Sequence, residues 1–423
     1  MKVFVLLGVS VSVYALTLDE AIEKTLKTHP DAKIAFLQYE SAVEASKSAN
    51  SALHPRIDAN MAYYPTKTYV MPTNSVFSTK QNDGFHADVI GSYSLWDFGR
   101  SRDKMGAALH LQEGAQSTQK LTQAELIEHV WLQYYGVAYT ALLIETADSS
   151  VRFYEGQFKQ AHALYVNGLK TQADELRFKS SLMEAQERAA SARSEYDKGR
   201  LALGLLVGSD ALLSVKKEDL DERALSINPR ALDLDTLRKE LGENNPRLKM
   251  LRSSIQASKA LSDAAHHEKY GNVMLAGSYG YDNSLSSYDS YQVGVLGTIP
   301  LYDGGKLSSE AQKSRISYTI AQKEFESAER ELWQEVYGAY RDLKHSDETI
   351  QAKAEVIEAT AQTLHLIQGR YAQGLATYVD VLESQSALDN TRAGLAQAKY
   401  QKIRAYAQMQ KLLNQGCNND VCK

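Results

Sequence analysis

Cysteine is nearly missing from this chain of 423 residues. Cys417 and Cys422 are the only two, and both lie in the last seven positions. A pair there could bond in an oxidising compartment, but two thiols without nearby histidine fall short of a zinc site. They read as part of a solvated tail. Proline is scarce as well. Of the seven, none falls between Thr73 and Asn228 and none after Pro300, which excludes a loop-rich architecture over most of the chain. No stretch beyond the N-terminus reaches 18 apolar residues, so no helix spans a bilayer. Entry into a membrane would have to be as strands closed into a barrel. A net charge of -5 excludes the basic surface of a nucleic-acid binder. Neither a Ser/His/Asp arrangement, a metal-ligand cluster nor a phosphate-cradling glycine loop is found. No catalytic residues, cofactor or metal are therefore assigned, and no enzyme is expected. His266-His267, the one adjacent histidine pair, reads as a solvated or headgroup-level pair beside a strand region.

What is present begins with an export signal over 1–15. Lys2 supplies the charge, Val3 to Val13 the apolar stretch, and Val13-Tyr14-Ala15 the small cleavage residues ahead of Leu16.

The rest of the chain is written twice. Leu18-Asp19 matches Leu234-Asp235, and His29-Pro30 matches Asn245-Pro246, both at an offset of 216. Farther along the offset is 206. There Leu95-Trp96-Asp97-Phe98-Gly99-Arg100 matches Leu301-Tyr302-Asp303-Gly304-Gly305-Lys306, and Tyr165, Gly168, Leu169, Thr171, Asp174 and Leu176 match Tyr371, Gly374, Leu375, Thr377, Asp380 and Leu382. The change falls between Pro55 and Leu95, where a longer loop is expected in the first copy. The first repeat covers 16–231, with a strand pair at about 56–97, a helical hairpin at about 100–208 and a collar segment. The second covers 232–414, with a strand pair at about 272–301 and a hairpin at about 306–414. Residues 415–423 form a tail.

The Pro-free tracts are rich in Ala, Glu, Gln, Lys and Leu, which favour helix. Ile144, Val151, Phe158 and Tyr165 recur every seven residues, as do Ile350, Ile357, Leu364 and Tyr371, a coiled-coil seam. Gly168 and Gly374 stand where these helices should stop, and Thr171 and Thr377 can cap the return helices. A helix from Arg100 to Val166 would run about 100 Å. A return helix from about Gln172 to Gly208 adds about 55 Å and one from Pro30 to Leu53 about 35 Å. One long rod is thus matched by a stacked pair, with 209–231 and 413–423 as the collar.

The segments between helices alternate with period two. Ile57, Ala59, Met61 and Tyr63 stand against Asp58, Asn60, Ala62 and Tyr64. Val89, Gly91, Tyr93 and Leu95 alternate in the same way, as do Val273 to Tyr281 and Tyr291 to Leu301. Alternation over about ten residues with tyrosine near the ends is the transmembrane β-strand pattern. Four strands cannot close a barrel, since the smallest use about eight, and an open edge in lipid costs several kcal/mol per unpaired group. The strands must be pooled among copies.

These features resemble the TolC-like outer membrane factor family over Leu18 to about Asn414. The likeness rests on the duplicated plan, on Asn245-Pro246 with His29-Pro30 as its variant, and on the two strand-to-helix turns at Leu95–Gly99 and Pro300–Gly305. The resemblance implies a fold of mixed α and membrane β. Four strands per chain contribute to a 12-stranded trimeric β-barrel, continued by a long α-helical coiled-coil tunnel. It also implies an exit duct in the outer membrane of a Gram-negative bacterium, with a large periplasmic part. The partners it implies are outer membrane lipid, a periplasmic adaptor (membrane fusion protein) and an inner-membrane pump of RND, ABC or MFS type. The system would serve multidrug efflux or type I secretion. By position, the adaptor-docking tips are Gly168, Leu169 and Thr171 with Gly374, Leu375 and Thr377. Asp380 and Glu383 match the carboxylates of the gate. Tyr371, Asp174 and Gln157 match residues that hold it closed. Where the family's pattern has an arginine latch this chain has Ala376, and Arg177 could substitute by pairing with an acidic side chain. A different class of protein, a structural coiled-coil trimer at the surface or in the periplasm, would share the heptads and the signal. It would not need matched strand pairs.

Overall fold

The computed structural model describes residues 16–73, 76–283 and 287–415. The expected signal segment 1–15 and Cys417 and Cys422 lie outside them. Among the described residues each half of the chain runs through two helices, two strands and two longer helices. The first half comprises α1 (Leu18–Thr28), α2 (Pro30–Ser51), β1 (Arg56–Thr73), β2 (Val76–Trp96), α3 (Arg100–Val166) and α4 (Gln172–Leu206). After α5 (Glu218–Ser226) the second half follows with α6 (Leu234–Asn244), α7 (Pro246–His267), β3 (Asn272–Asp282), β4 (Tyr288–Thr298), α8 (Lys306–Ala372) and α9 (Tyr378–Leu413). Helices α3 and α8 have 67 residues each, about 100 Å of rod. The chain divides into two compact units. One holds 36–119 and 247–328, the other 16–35, 120–246 and 329–415.

The first unit carries the strands. They form one antiparallel sheet in the order β1-β2-β3-β4. The register sorts the side chains. Ile57 pairs with Gly91, Val89 with Tyr279, Leu275 with Val295 and Tyr279 with Tyr291. Because side chains alternate across a strand, one face is almost wholly apolar and tyrosine-rich. The other carries Asp58, Asn60, His86, Asp88, Ser278 and Gln292. Such a division suits lipid on one side and water on the other. The ten extra residues of the first copy are not a loop. β1 and β2 pair from Arg56↔Ser92 out to Thr73↔Val76, with a register shift between Tyr64 and Lys67. β3 stops at His86↔Asp282. The insertion therefore lengthens the hairpin into a two-stranded ribbon beyond the sheet. Its alternation was hidden because Thr66, Lys67, Thr68, Lys80, Gln81, Asn82 and Asp83 make both faces polar.

The duplicated turns explain their aspartates. Asp97 accepts hydrogen bonds from the backbone N–H of Gly99 (3.2 Å) and Ser101 (2.8 Å). Asp303 accepts from Gly305 (2.9 Å) and Leu307 (2.6 Å). Each satisfies orphan donors at the start of a 67-residue helix. For Asp97, burial raises the pKa, but the Ser101 and Gly99 bonds outweigh it and leave the carboxyl low. The bond from Leu307 leads the same effect at Asp303. Gly271, at φ 82°, has the Thr298 carbonyl where a Cβ would sit, so only glycine fits. His266 is exposed and His267 half-buried, and the His267 Nδ1 lies 2.7 Å from Asp103 Oδ2 on α3.

In the second unit the collar segment holds α5, and Tyr134 ties it to the N-terminal segment. The buried Tyr134 hydroxyl contacts the Leu16 carbonyl and the Asp219 carboxylate, and burial raises its pKa. Lys399 pairs with Asp221 at 2.8 Å. The Asn-Pro motif also acquires a reason. Buried Asn245 donates to the Leu412 carbonyl at 2.8 Å, and Pro246 opens α7, where a missing N–H costs nothing. In the first copy the Thr28 hydroxyl donates to the Val207 carbonyl at 3.3 Å in its place.

Candidate functional site

The site expected from sequence lies at the two hairpin tips, both in the second unit. Each long helix ends in the same motif. The Leu169 N–H donates to the Leu164 carbonyl at 2.9 Å and Gly168 to Tyr165 at 2.9 Å. Leu375 donates to Arg370 at 2.8 Å and Gly374 to Tyr371 at 3.0 Å. These six-to-one and five-to-two pairs define a Schellman end, which needs a left-handed residue. Gly168 and Gly374 supply it at φ 72° and 77°. A Cβ at either glycine would meet open space, so within the chain they serve the turn itself. Leu169 and Leu375 are 69% and 72% exposed. Apolar side chains usually pack back onto such a helix end; these two stand free. Thr171 then caps α4 by accepting from the Asp174 N–H at 3.3 Å, and Thr377 caps α9 by accepting from Asp380 at 3.3 Å.

Behind the tips Tyr371 is buried. It packs in a cluster with Tyr154, Ala161, Phe178, Leu182, Ala185 and Val381. Phe178 meets it edge to face at 5.7 Å, and the Lys170 ammonium lies 4.8 Å from the ring centre. Burial raises the Tyr371 pKa, and the nearby charge of Asp174 raises it further. Tyr371 Oη and Gln157 Oε1 are both buried without a hydrogen-bond partner among the described residues. A buried group left without a partner costs about 1–3 kcal/mol.

The two carboxylates expected at a gate differ. Glu383 is exposed. Asp380 reaches back to its own cap, accepting from the Thr377 N–H at 2.7 Å and hydroxyl at 2.8 Å. Those bonds hold its carboxyl below the usual carboxylate range and keep it anionic. Arg177 departs from expectation. Its guanidinium lies 4.2 Å from the ring centre of Tyr378, a half-buried aromatic packed against the Tyr371 cluster, where an acidic partner was expected.

The seam is partly as expected. Leu364 and Tyr371 are buried, with Ile350 and Ile357 half-buried. In the first copy the buried positions are Ser150, Tyr154, Gln157 and Ala161, beside rather than on the expected stripe, and Tyr165 is 38% exposed. The reason is a second neighbour. Ser150 donates to Asp389 Oδ2 on α9 at 2.5 Å, and Gln385 donates to Asp389 Oδ1 at 2.8 Å. Asp389 and Phe178 were missed from sequence. Their counterparts in the other repeat are Met183 and Ser384, so the duplication gave no signal for either.

Residues 21–209 and 237–415 match the profile of the family described as Outer membrane efflux protein. The outer membrane protein TolC of Escherichia coli K12 is 23% identical over 426 residues, covering 94% of this chain and 83% of that protein. The alkaline protease secretion protein AprF of Pseudomonas aeruginosa is 22% identical, covering 94% and 84%. Among solved structures, the outer membrane protein VceC of Vibrio cholerae superposes with a TM-score of 0.79 at 18% identity, covering 94% of this chain and 95% of that one. The fold is that of trimeric outer membrane channels with a β-barrel and a helical tunnel. The homologues are conduits of the outer membrane and carry out no catalysis. With matching segments that take in most of both halves, the chain belongs to the outer membrane efflux protein family.

Proposed function

We propose that this chain is one of three protomers of the exit duct of a tripartite efflux or type I secretion system. The observation that carries the reading is the sheet. It has four strands, an apolar face, and two unpaired edges at β1 and β4. In lipid those edges need partners. Three copies joined β4 to β1 would close twelve strands around a lumen lined by the polar face, whereas eight strands leave an interior nearly filled by side chains.

The freestanding Leu169 and Leu375 support docking of a periplasmic adaptor at the tips, with an inner-membrane pump behind it. Leucine supplies an apolar knob on a rigid Schellman turn, and removing such a knob from water on contact is favourable. Asp380 and Glu383 support a cation-favouring constriction, two carboxylate rings in a trimer. Tyr371, Gln157 and Asp174 act as the latch, the unsatisfied Tyr371 and Gln157 atoms finding their partners in the assembled tip.

Planar-bilayer recording on the purified, detergent-extracted protein tests the reading. A duct gives discrete conductance steps from a heat-sensitive trimer. A trimer that never conducts would be a stalk, and the exit-duct assignment would fall.

A further inference from the structure

Between α7 and α8, on the strand-bearing unit, runs a groove of about 530 Å³. Lys259, Asp263 and His266 line it from α7, Lys269 from the turn that follows, and Arg315 and Tyr318 from α8. The three full cations face one carboxylate. Among the described residues Lys259, Lys269 and Arg315 have no ion pair. The groove therefore carries an excess of positive charge.

Its position says what could compensate that charge. Lys269 precedes the first residue of β3 by three positions, within about 10 Å of the strand end. The level of the membrane boundary is marked by rings in contact. Trp96 meets Phe98 at 6.1 Å, and Phe98 meets Tyr270 at 5.4 Å. Trp96, Phe98 and Tyr270 are all exposed, as an interfacial aromatic belt requires. Tyr270 Oη then lies 3.2 Å from His266 Nε2, and His266 is a wall of the groove. An aromatic belt thus passes by direct contact into a cationic slot just beneath the apolar face of the sheet. Trp96 is paired with Val273, which belongs to that apolar face, so the contact chain starts on the lipid side.

The geometry points to this slot as a binding site for the phosphate of an anionic phospholipid in the periplasmic leaflet. Basic pockets between helices at a leaflet surface hold such head groups. Lys269 would contact the phosphate from the turn after α7 and Arg315 from α8, and the acyl chains would rise past Tyr270 and Trp96 along the sheet. The inference goes beyond the duct reading and needs only a membrane-inserted barrel.

Native mass spectrometry of the full chain tests it, with phosphatidylglycerol or phosphatidylcholine added to the detergent-purified oligomer. The expected result is one retained phosphatidylglycerol per protomer, little phosphatidylcholine, and retention weakened about tenfold in Lys269→Gln/Arg315→Gln. Circular dichroism and conductance of the double variant should match the parent. Equal retention of both lipids, or a double variant that holds phosphatidylglycerol as well as the parent, would overturn the site. If inorganic phosphate at millimolar concentration displaces the lipid completely, the slot is a plain phosphate site and the lipid assignment fails.

Discussion

Phe178 and Tyr371 meet edge to face, ring centroids 5.7 Å apart and planes at 73°, although one belongs to the return helix of the first repeat and the other to the long helix of the second. The contact joins the two hairpins just behind their tips, and both rings are buried. Phe178→Ala should cost about 3–5 kcal/mol of local stability, read as faster amide exchange in both tips while the strands stay protected. Tyr371→Phe differs. It deletes a hydroxyl that has no partner in the protomer, so the isolated tip should hold or gain stability. If that hydroxyl closes the gate in the trimer, the same variant raises conductance. A Tyr371→Phe channel with unchanged conductance would remove Tyr371 from the latch.

The carboxylates proposed for the gate, Asp380 and Glu383, call for unequal substitutions. Asp380 also caps α9 through Thr377, so Asp380→Ala would confound charge with a frayed helix, typically about 1 kcal/mol. Asp380→Asn keeps an acceptor for the cap and removes the charge. Combined with Glu383→Gln, it should raise conductance or weaken cation preference, with thermal stability nearly unchanged. Reversal potentials in a salt gradient give the answer, and an unaltered preference would locate the constriction elsewhere.

Glycine and leucine at the tips should separate fold from docking. Gly374→Ala forces a side chain into the left-handed region and should cost about 1–2 kcal/mol, seen as lower melting with little else changed. Leu375→Asp and Leu169→Asp alter side chains that touch solvent and should leave melting and oligomerisation alone while abolishing export. Drug susceptibility or secretion assays beside native gels distinguish the two. An exporter that tolerates both aspartates has no adaptor contact there.

The contrast between what sequence discloses and what it conceals follows from how local each feature is. Helix α3 begins at Arg100 and ends at Val166, and α4 begins at Gln172, as expected, because Asp97, Gly168 and Thr171 write those ends into adjacent positions. The membrane strands were legible for the same reason: alternation is a nearest-neighbour property. The β1–β2 ribbon was not, since beyond the membrane both of its faces meet water and the alternation lapses. Tyr371 was singled out by the family resemblance and matches Tyr165 across the repeat, yet only Tyr371 is buried, against Phe178, whose own repeat counterpart is Ser384. Arg177 on Tyr378 and Ser150 on Asp389 are contacts between helices distant in sequence, which no periodicity encodes.

Asp389 should give the protein a pH dependence of unusual sign. Burial raises its pKa above the ordinary aspartate value, against the opposing hydrogen bonds from Ser150 and Gln385 and the charges of Arg392 and Arg188. A carboxyl raised in the folded state binds its proton more tightly there than in the unfolded chain. The stability it contributes is therefore complete below the unfolded pKa and is lost as pH rises through the folded one. Asp389→Asn keeps an acceptor for Gln385 and can donate to Ser150, without a charge to bury. The variant should melt higher than the parent at neutral pH, and the difference should shrink as the solution is acidified through the carboxylate range. Thermal unfolding from about pH 4 to pH 7 covers that window. A difference that grows toward acid would show that the carboxylate is ionised and favourably held between the hairpins, and one that is constant would show that folding leaves its pKa unshifted.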